Sequence, residues 1–171
     1  MGPVSAEIEI DAPRERIFAT LLDLAVRPSF TDHFLTGFHL TRIDPVGIGA
    51  GARFCVKAPL RKIWMDTTIV STEEPFQIVE EGEAGRVNRI RNHTVWELKD
   101  GPGPLTTVRV TQWTEPAAVD RTLEVISAGS VWLGRGWRQA LHRLRELLES
   151  DQPAAERVAV AGGNRYATGI P

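Results

Sequence analysis

One cysteine in 171 residues, Cys55, excludes an intramolecular disulfide and leaves a cysteine-based metal site without partners, so a reducing, cytoplasmic setting is expected. No apolar run approaches the roughly 20 residues of a membrane span. The opening Met1-Gly-Pro-Val lacks the positive region and apolar stretch of a secretory leader. Excess charge is also missing: Lys plus Arg number 20 against Asp plus Glu 22, and without a basic field nucleic acid is not an expected partner. The four histidines, His33, His39, His93 and His142, are scattered without metal-ligand spacing, and neither metal nor cofactor is expected. Gly47-Ile-Gly-Ala-Gly joins two strands and opens no helix, so it reads as a hairpin turn rather than a phosphate loop. Ser127 and Ser130 have no histidine and acid within view that would make either a nucleophile.

What the chain has is one long periodic stretch. From Ala118 to Ser150, apolar or small residues recur at Leu123, Ile126, Ser130, Leu133, Trp137, Ala140 or Leu141, Leu144 and Leu147 or Leu148, the three-and-four spacing of an amphipathic helix. Such a helix would be roughly 45 Å long and needs a large surface to cover. Its C-terminal half is Leu-rich, whereas Ser127-Ala-Gly-Ser and Gly134-Arg-Gly are small. Glycine inside a helix costs about 0.5 to 1 kcal/mol relative to Ala, so this cluster predicts a kink, a close contact or room for a bound molecule.

Ahead of that helix, Val4 to Ile10 alternates with a period of two, the mark of a half-buried strand. Asp11 and Pro13 suit a helix start, and Ile17, Phe18, Leu21, Leu22 and Leu24 give a short amphipathic helix that Pro28 interrupts. A second short helix follows up to the turn residue Gly37. Strands are predicted at Phe38 to Ile43, Ala52 to Lys57, Lys62 to Thr72, Gln77 to Glu83, Val87 to Lys99 and Thr106 to Thr114, joined by short Gly- and Pro-containing turns that imply antiparallel neighbours. The expectation is an α+β chain: a seven-stranded curved antiparallel sheet wrapped around a long C-terminal helix, with two short helices between strands 1 and 2. Residues 1–150 form one domain and 151–171 a tail.

This order resembles the START-like helix-grip superfamily, also called SRPBCC, and within it the polyketide cyclase/dehydrase and lipid-transport branch. The pieces that carry the resemblance are Ile8-Glu-Ile-Asp-Ala-Pro-Arg-Glu-Arg-Ile-Phe, Gly49-Ala-Gly-Ala-Arg-Phe, Ser71-Thr-Glu-Glu-Pro-Phe-Gln-Ile, Trp96-Glu-Leu and Arg135-Gly-Trp-Arg-Gln-Ala-Leu. The resemblance implies an elongated cavity between sheet and long helix, opening near the second short helix, and leaves the activity open.

Alternation assigns the lining. Ile90, Asn92, Thr94, Trp96 and Leu98 are predicted inward, with Val108, Val110 and Gln112, Phe54 and Val56, and Ile63, Met65, Thr67 and Ile69. The predicted ligand-binding set is Phe34, Phe54, Val56, Met65, Thr67, Ile69, Asn92, Thr94, Trp96, Val110, Gln112, Ser130 and Trp137: apolar walls with a few uncharged polar groups, the composition of a small-molecule site. The expected partner is therefore a small apolar molecule, lipid or polyketide-like, held by a carrier or sensor of unassigned oligomeric state. The alternative is an aromatase/cyclase or dehydratase acting on a poly-ketone chain, which needs an inward acid or base; a one-residue slip would supply Asp66 or His93. A core filled by its own side chains would leave only an interaction module.

Overall fold

The computed structural model describes residues 2–58, 61–85, 90–116 and 129–150. Seven strands, β1 (Val4–Ile10), β2 (Leu35–Leu40), β3 (Gly51–Ala58), β4 (Arg61–Glu73), β5 (Gln77–Ala84), β6 (Ile90–Asp100) and β7 (Thr106–Pro116), form one antiparallel sheet in the order β1-β7-β6-β5-β4-β3-β2. The sheet curls into a half-barrel. Between β1 and β2 stand α1 (Arg14–Leu22) and α2 (Pro28–Thr31), and α3 (Gly129–Glu149) closes the described part of the chain.

The alternation holds in β1, β4, β6 and β7; in β3 Phe54 and Val56 are buried as expected, but Cys55 between them is buried as well. Val4 to Ile10 turns Ala6 and Ile10 in, and Ile90 to Asp100 buries Asn92, Thr94, Trp96 and Leu98 while Arg91 and Lys99 stay exposed. On β4, Trp64 and Val70 are exposed and Met65, Thr67 and Ile69 buried, as predicted. Of the expected stripe of α3, Leu133, Trp137, Ala140, Leu141, Leu144 and Leu148 are buried while Ser130, in the first turn, is exposed; Arg138, Gln139, His142 and Glu146 are exposed on the other face. The backbone of α3 packs chiefly on β1 and α2, with a smaller contact on β3. It thus bridges the two rims of the half-barrel, and side chains occupy the interval over the central strands.

Several local expectations change. The second helix is a single turn, and β2 starts at Leu35 rather than Phe38. Gly37 is not a turn: it sits within β2 at φ 62, where the pairing with β3 shifts between Thr36 and His39 and the Trp64 ring lies 3.2 Å from where a Cβ would be. Asp11 does not cap α1; the Pro13 carbonyl takes the Arg16 and Ile17 amides, while the Asp11 amide donates to Glu149 on α3. The expected start of β6 at Val87, residues 118–128 of the long helix and the 151–171 tail lie outside the described residues.

Candidate functional site

Strand pairing sets the concave face in rows. Phe54, Met65, Ala84 and Ile90 form a row near the end where β3 passes to β4 and β5 to β6. Gly82, Asn92 and Thr114 align next to it, followed by Ile69, Glu80, Thr94, Gln112 and Val4, and then by Ile78, Trp96, Val110 and Ala6. Most interior polar side chains therefore fall in the two middle rows, while Thr72, across from Ile78, and the buried Thr106 at the start of β7 lie beyond them. Burial varies within the rows: Ile69, Ile78, Trp96 and Val110 are fully enclosed and Ala84 and Phe54 buried, whereas Met65 and Val56 keep 7% of their surface and Ile63, Ile90 and Val4 are half-buried.

Of the thirteen predicted site residues, twelve are buried, and Ser130 is exposed on the first turn of α3. Phe34 and Trp137 meet edge to face at 5.1 Å, Trp137 meets Trp96 at 5.4 Å, and Phe34 also approaches Trp132 at 6.1 Å, so an aromatic file runs from α3 into the sheet. The glycines of α3 play a different part from simple vacancy. A Cβ at Gly136 would lie 2.7 Å from the Phe34 ring, and one at Gly134 would lie 3.3 Å from Val4 Cγ1. The missing side chain at 136 is thus the seat of Phe34, and α3 runs through both glycines as one continuous helix. Ser127 and Ala128 lie outside the described residues.

Two polar networks occupy the interior. In the first, Trp137 Nε1 donates to Gln112 Oε1 at 2.8 Å and Gln112 Nε2 donates to Asn92 Oδ1 at 2.8 Å. In the second, which sequence reasoning missed, Glu80 Oε1 accepts from Arg27 Nη2 at 2.7 Å and Trp96 Nε1 at 2.8 Å, and Oε2 accepts from Thr67 at 3.0 Å. Arg27 also donates to the Leu21 carbonyl, and its guanidinium lies 4.9 Å from the Trp96 ring centroid. Both charged side chains are 3% exposed. With each carboxylate oxygen engaged, Glu80 is an anchor between the α1–α2 connection and the sheet rather than a free acid or base. The available signal was the alternation of Ile78, Glu80, Gly82 and Ala84 in β5.

The groups a proton-transfer mechanism would need lie elsewhere. Asp66 is on the convex face, 3.6 Å from Arg53. His93 is also there, stacked on Trp113 at 5.0 Å with Glu81 and Glu115 at 3.7 and 3.8 Å. His33 lies between α2 and α3: its Nε2 is 3.1 Å from the Gly136 carbonyl, which only accepts, so Nε2 carries the proton and Nδ1 accepts from Arg143 at 3.1 Å. Arg143 also pairs with Asp32. Burial pushes the His33 imidazole below its ordinary value. Among the described residues no group of three His, Cys, Asp or Glu side chains converges as a metal site, and no helix is long and apolar enough to cross a membrane.

No protein-family model and no curated protein matches the sequence. Solved structures do match in shape. The solution structure of KanY protein superposes with a TM-score of 0.68 at 18% identity, covering 88% of this chain and 100% of the other. The ginseng major latex-like protein 151 from Panax ginseng gives 0.65 at 12%, covering 87% and 98%, and a START superfamily protein from Mycobacterium smegmatis gives 0.63 at 14%, covering 86% and 97%. Those likenesses agree with the strand order, the two short helices and the gripped C-terminal helix described above: this chain has the START-like helix-grip fold.

Proposed function

We propose that the protein binds a small apolar molecule, lipid or polyketide-like, between α3 and the concave face of the sheet, as a carrier or sensor. The observation that carries this reading is that the backbone of α3 rests chiefly on β1 and α2, so the concave face over β4 to β7 is covered by side chains rather than by helix backbone, and that lining keeps some exposure at Val56, Met65 and Ile90. An apolar wall with a few fixed, uncharged polar groups matches what small-molecule sites require. The cyclase or dehydratase alternative has less support, because Asp66 and His93, its two candidate groups, face away from this volume. Native mass spectrometry of the purified protein tests the proposal. The expected spectrum contains a non-covalent adduct that organic solvent removes. A spectrum of bare protein, unchanged after incubation with an apolar cell extract, would contradict it.

A further inference from the structure

The interior amides deepen that reading and rest on it. An indole N–H can only donate. Trp137 Nε1 therefore requires the oxygen of Gln112 to face it, which turns the Gln112 amine toward Asn92, and that amine in turn requires the Asn92 oxygen. The usual ambiguity of side-chain amide orientation is removed at both residues by the donor at the head of the relay. The relay ends on the Asn92 amine, a donor that meets no acceptor among the described residues, on a residue 1% exposed. On the concave face its row neighbours are Gly82 on β5, which has no side chain to offer, and Thr114 on β7, to which Asn92 Nδ2 makes no bond, and the adjoining row is Met65, Ala84 and Ile90. A buried donor left unmatched carries a desolvation penalty that a bound acceptor relieves.

We infer that Asn92 Nδ2 is the polar recognition point of the site and selects ligands presenting a hydrogen-bond acceptor, such as the oxygen of a ketone, ester or other carbonyl, within an otherwise apolar body. A hydrocarbon of the same shape leaves the donor unmatched and binds more weakly. The relay adds direction: with the Asn92 oxygen turned to Gln112, the group left without a partner is a donor, and a ligand relieves it only by accepting.

A matched pair of probes tests this, 2-acetonaphthone and 2-isopropenylnaphthalene, in which a carbonyl oxygen is exchanged for a methylene. The wild-type protein is expected to favour the ketone about tenfold or more, the scale on which polar sites reject analogues lacking the matching group. Bound 2-acetonaphthone should show its C=O stretch at lower frequency than in hexane. Asn92→Leu should bring the two affinities within about twofold and return the stretch to its hexane position. The infrared measurement on wild type needs no variant, so a misfolded Asn92→Leu protein does not shield the inference. Equal binding of the two probes, or a bound ketone with a hexane-like stretch, would overturn the role of Asn92 and leave apolar binding standing. Failure of both probes to bind would overturn the inference together with the binding reading.

Discussion

Glu80 and Arg27 show how much one pair of side chains can commit the fold to a single arrangement. A carboxylate accepting three hydrogen bonds inside the half-barrel tolerates its surroundings only while its guanidinium partner is present. Arg27→Met should therefore cost about 3 to 5 kcal/mol in urea unfolding. Adding Glu80→Gln, which keeps an acceptor for Trp96 and a donor for Thr67, should recover a large part of that loss. A double variant no more stable than Arg27→Met alone would show that the pair is not coupled. His33 makes a second prediction. Burial holds its imidazole below 6.5, so between that lowered value and 6.5 the unfolded chain binds more protons than the folded one. The stability contributed by neutral His33 is present above this window and is lost as the pH falls through it. Protonation would also set an Nδ1–H against Arg143, with Asp32 the nearby acid that partly offsets it. His33→Gln offers a non-titrating donor to the Gly136 carbonyl, and its Tm should fall less steeply than that of wild type from about pH 7 to about pH 5. Identical slopes would rule out His33 as a contributor.

At the scale of elements, the helix α3 supplies the clearest prediction. Gly→Ala inside a helix ordinarily stabilises by about 0.5 to 1 kcal/mol. At Gly136 the new methyl would stand 2.7 and 2.9 Å from two atoms of the buried Phe34 ring, so the sign should reverse to a loss of about 1 to 3 kcal/mol. Gly134→Ala, facing only Val4 Cγ1 at 3.3 Å, is the milder comparison. A Gly136→Ala protein as stable as wild type in chemical denaturation would mean that Phe34 is not seated there. This position also marks what could be read before the structure. A half-buried sheet imposes a period of two, which is why the order of residues alone predicts Asn92, Thr94 and Trp96 inward and His93 outward. Small residues in a helix are ambiguous between empty space and close contact, and the ring that decides the matter at Gly136 comes from a residue 102 positions earlier. Glu80 was hidden for a related reason: Glu80, Glu81 and Glu83 look like a solvated strand, and the cation that makes one of them an interior group lies 53 positions away, at a junction placed by Pro28. Gly37 reads locally as a turn, and only the shifted pairing of β2 with β3 shows it to be a bulge.

For the molecule as a whole, the curled sheet and the helix laid across its rims define an interior whose polar groups fall mostly in two middle rows and whose lining is partly exposed at Val56, Met65 and Ile90. The convex face carries ordinary charged pairs such as Arg109 with Glu7 and Arg53 with Asp66, and exposed ion pairs of this kind contribute little to stability. Specificity is therefore expected from the concave side. The most direct test is a methyl NMR titration of the intact chain with 2-acetonaphthone. Shifts should concentrate on the methyls of Val56, Met65 and Ile90, where the interior lining is partly exposed, while Ile43 and Val70, exposed elsewhere, remain in place. Saturable shifts confined to Ile43 or Val70, with Met65 and Ile90 unmoved, would contradict an interior binding site.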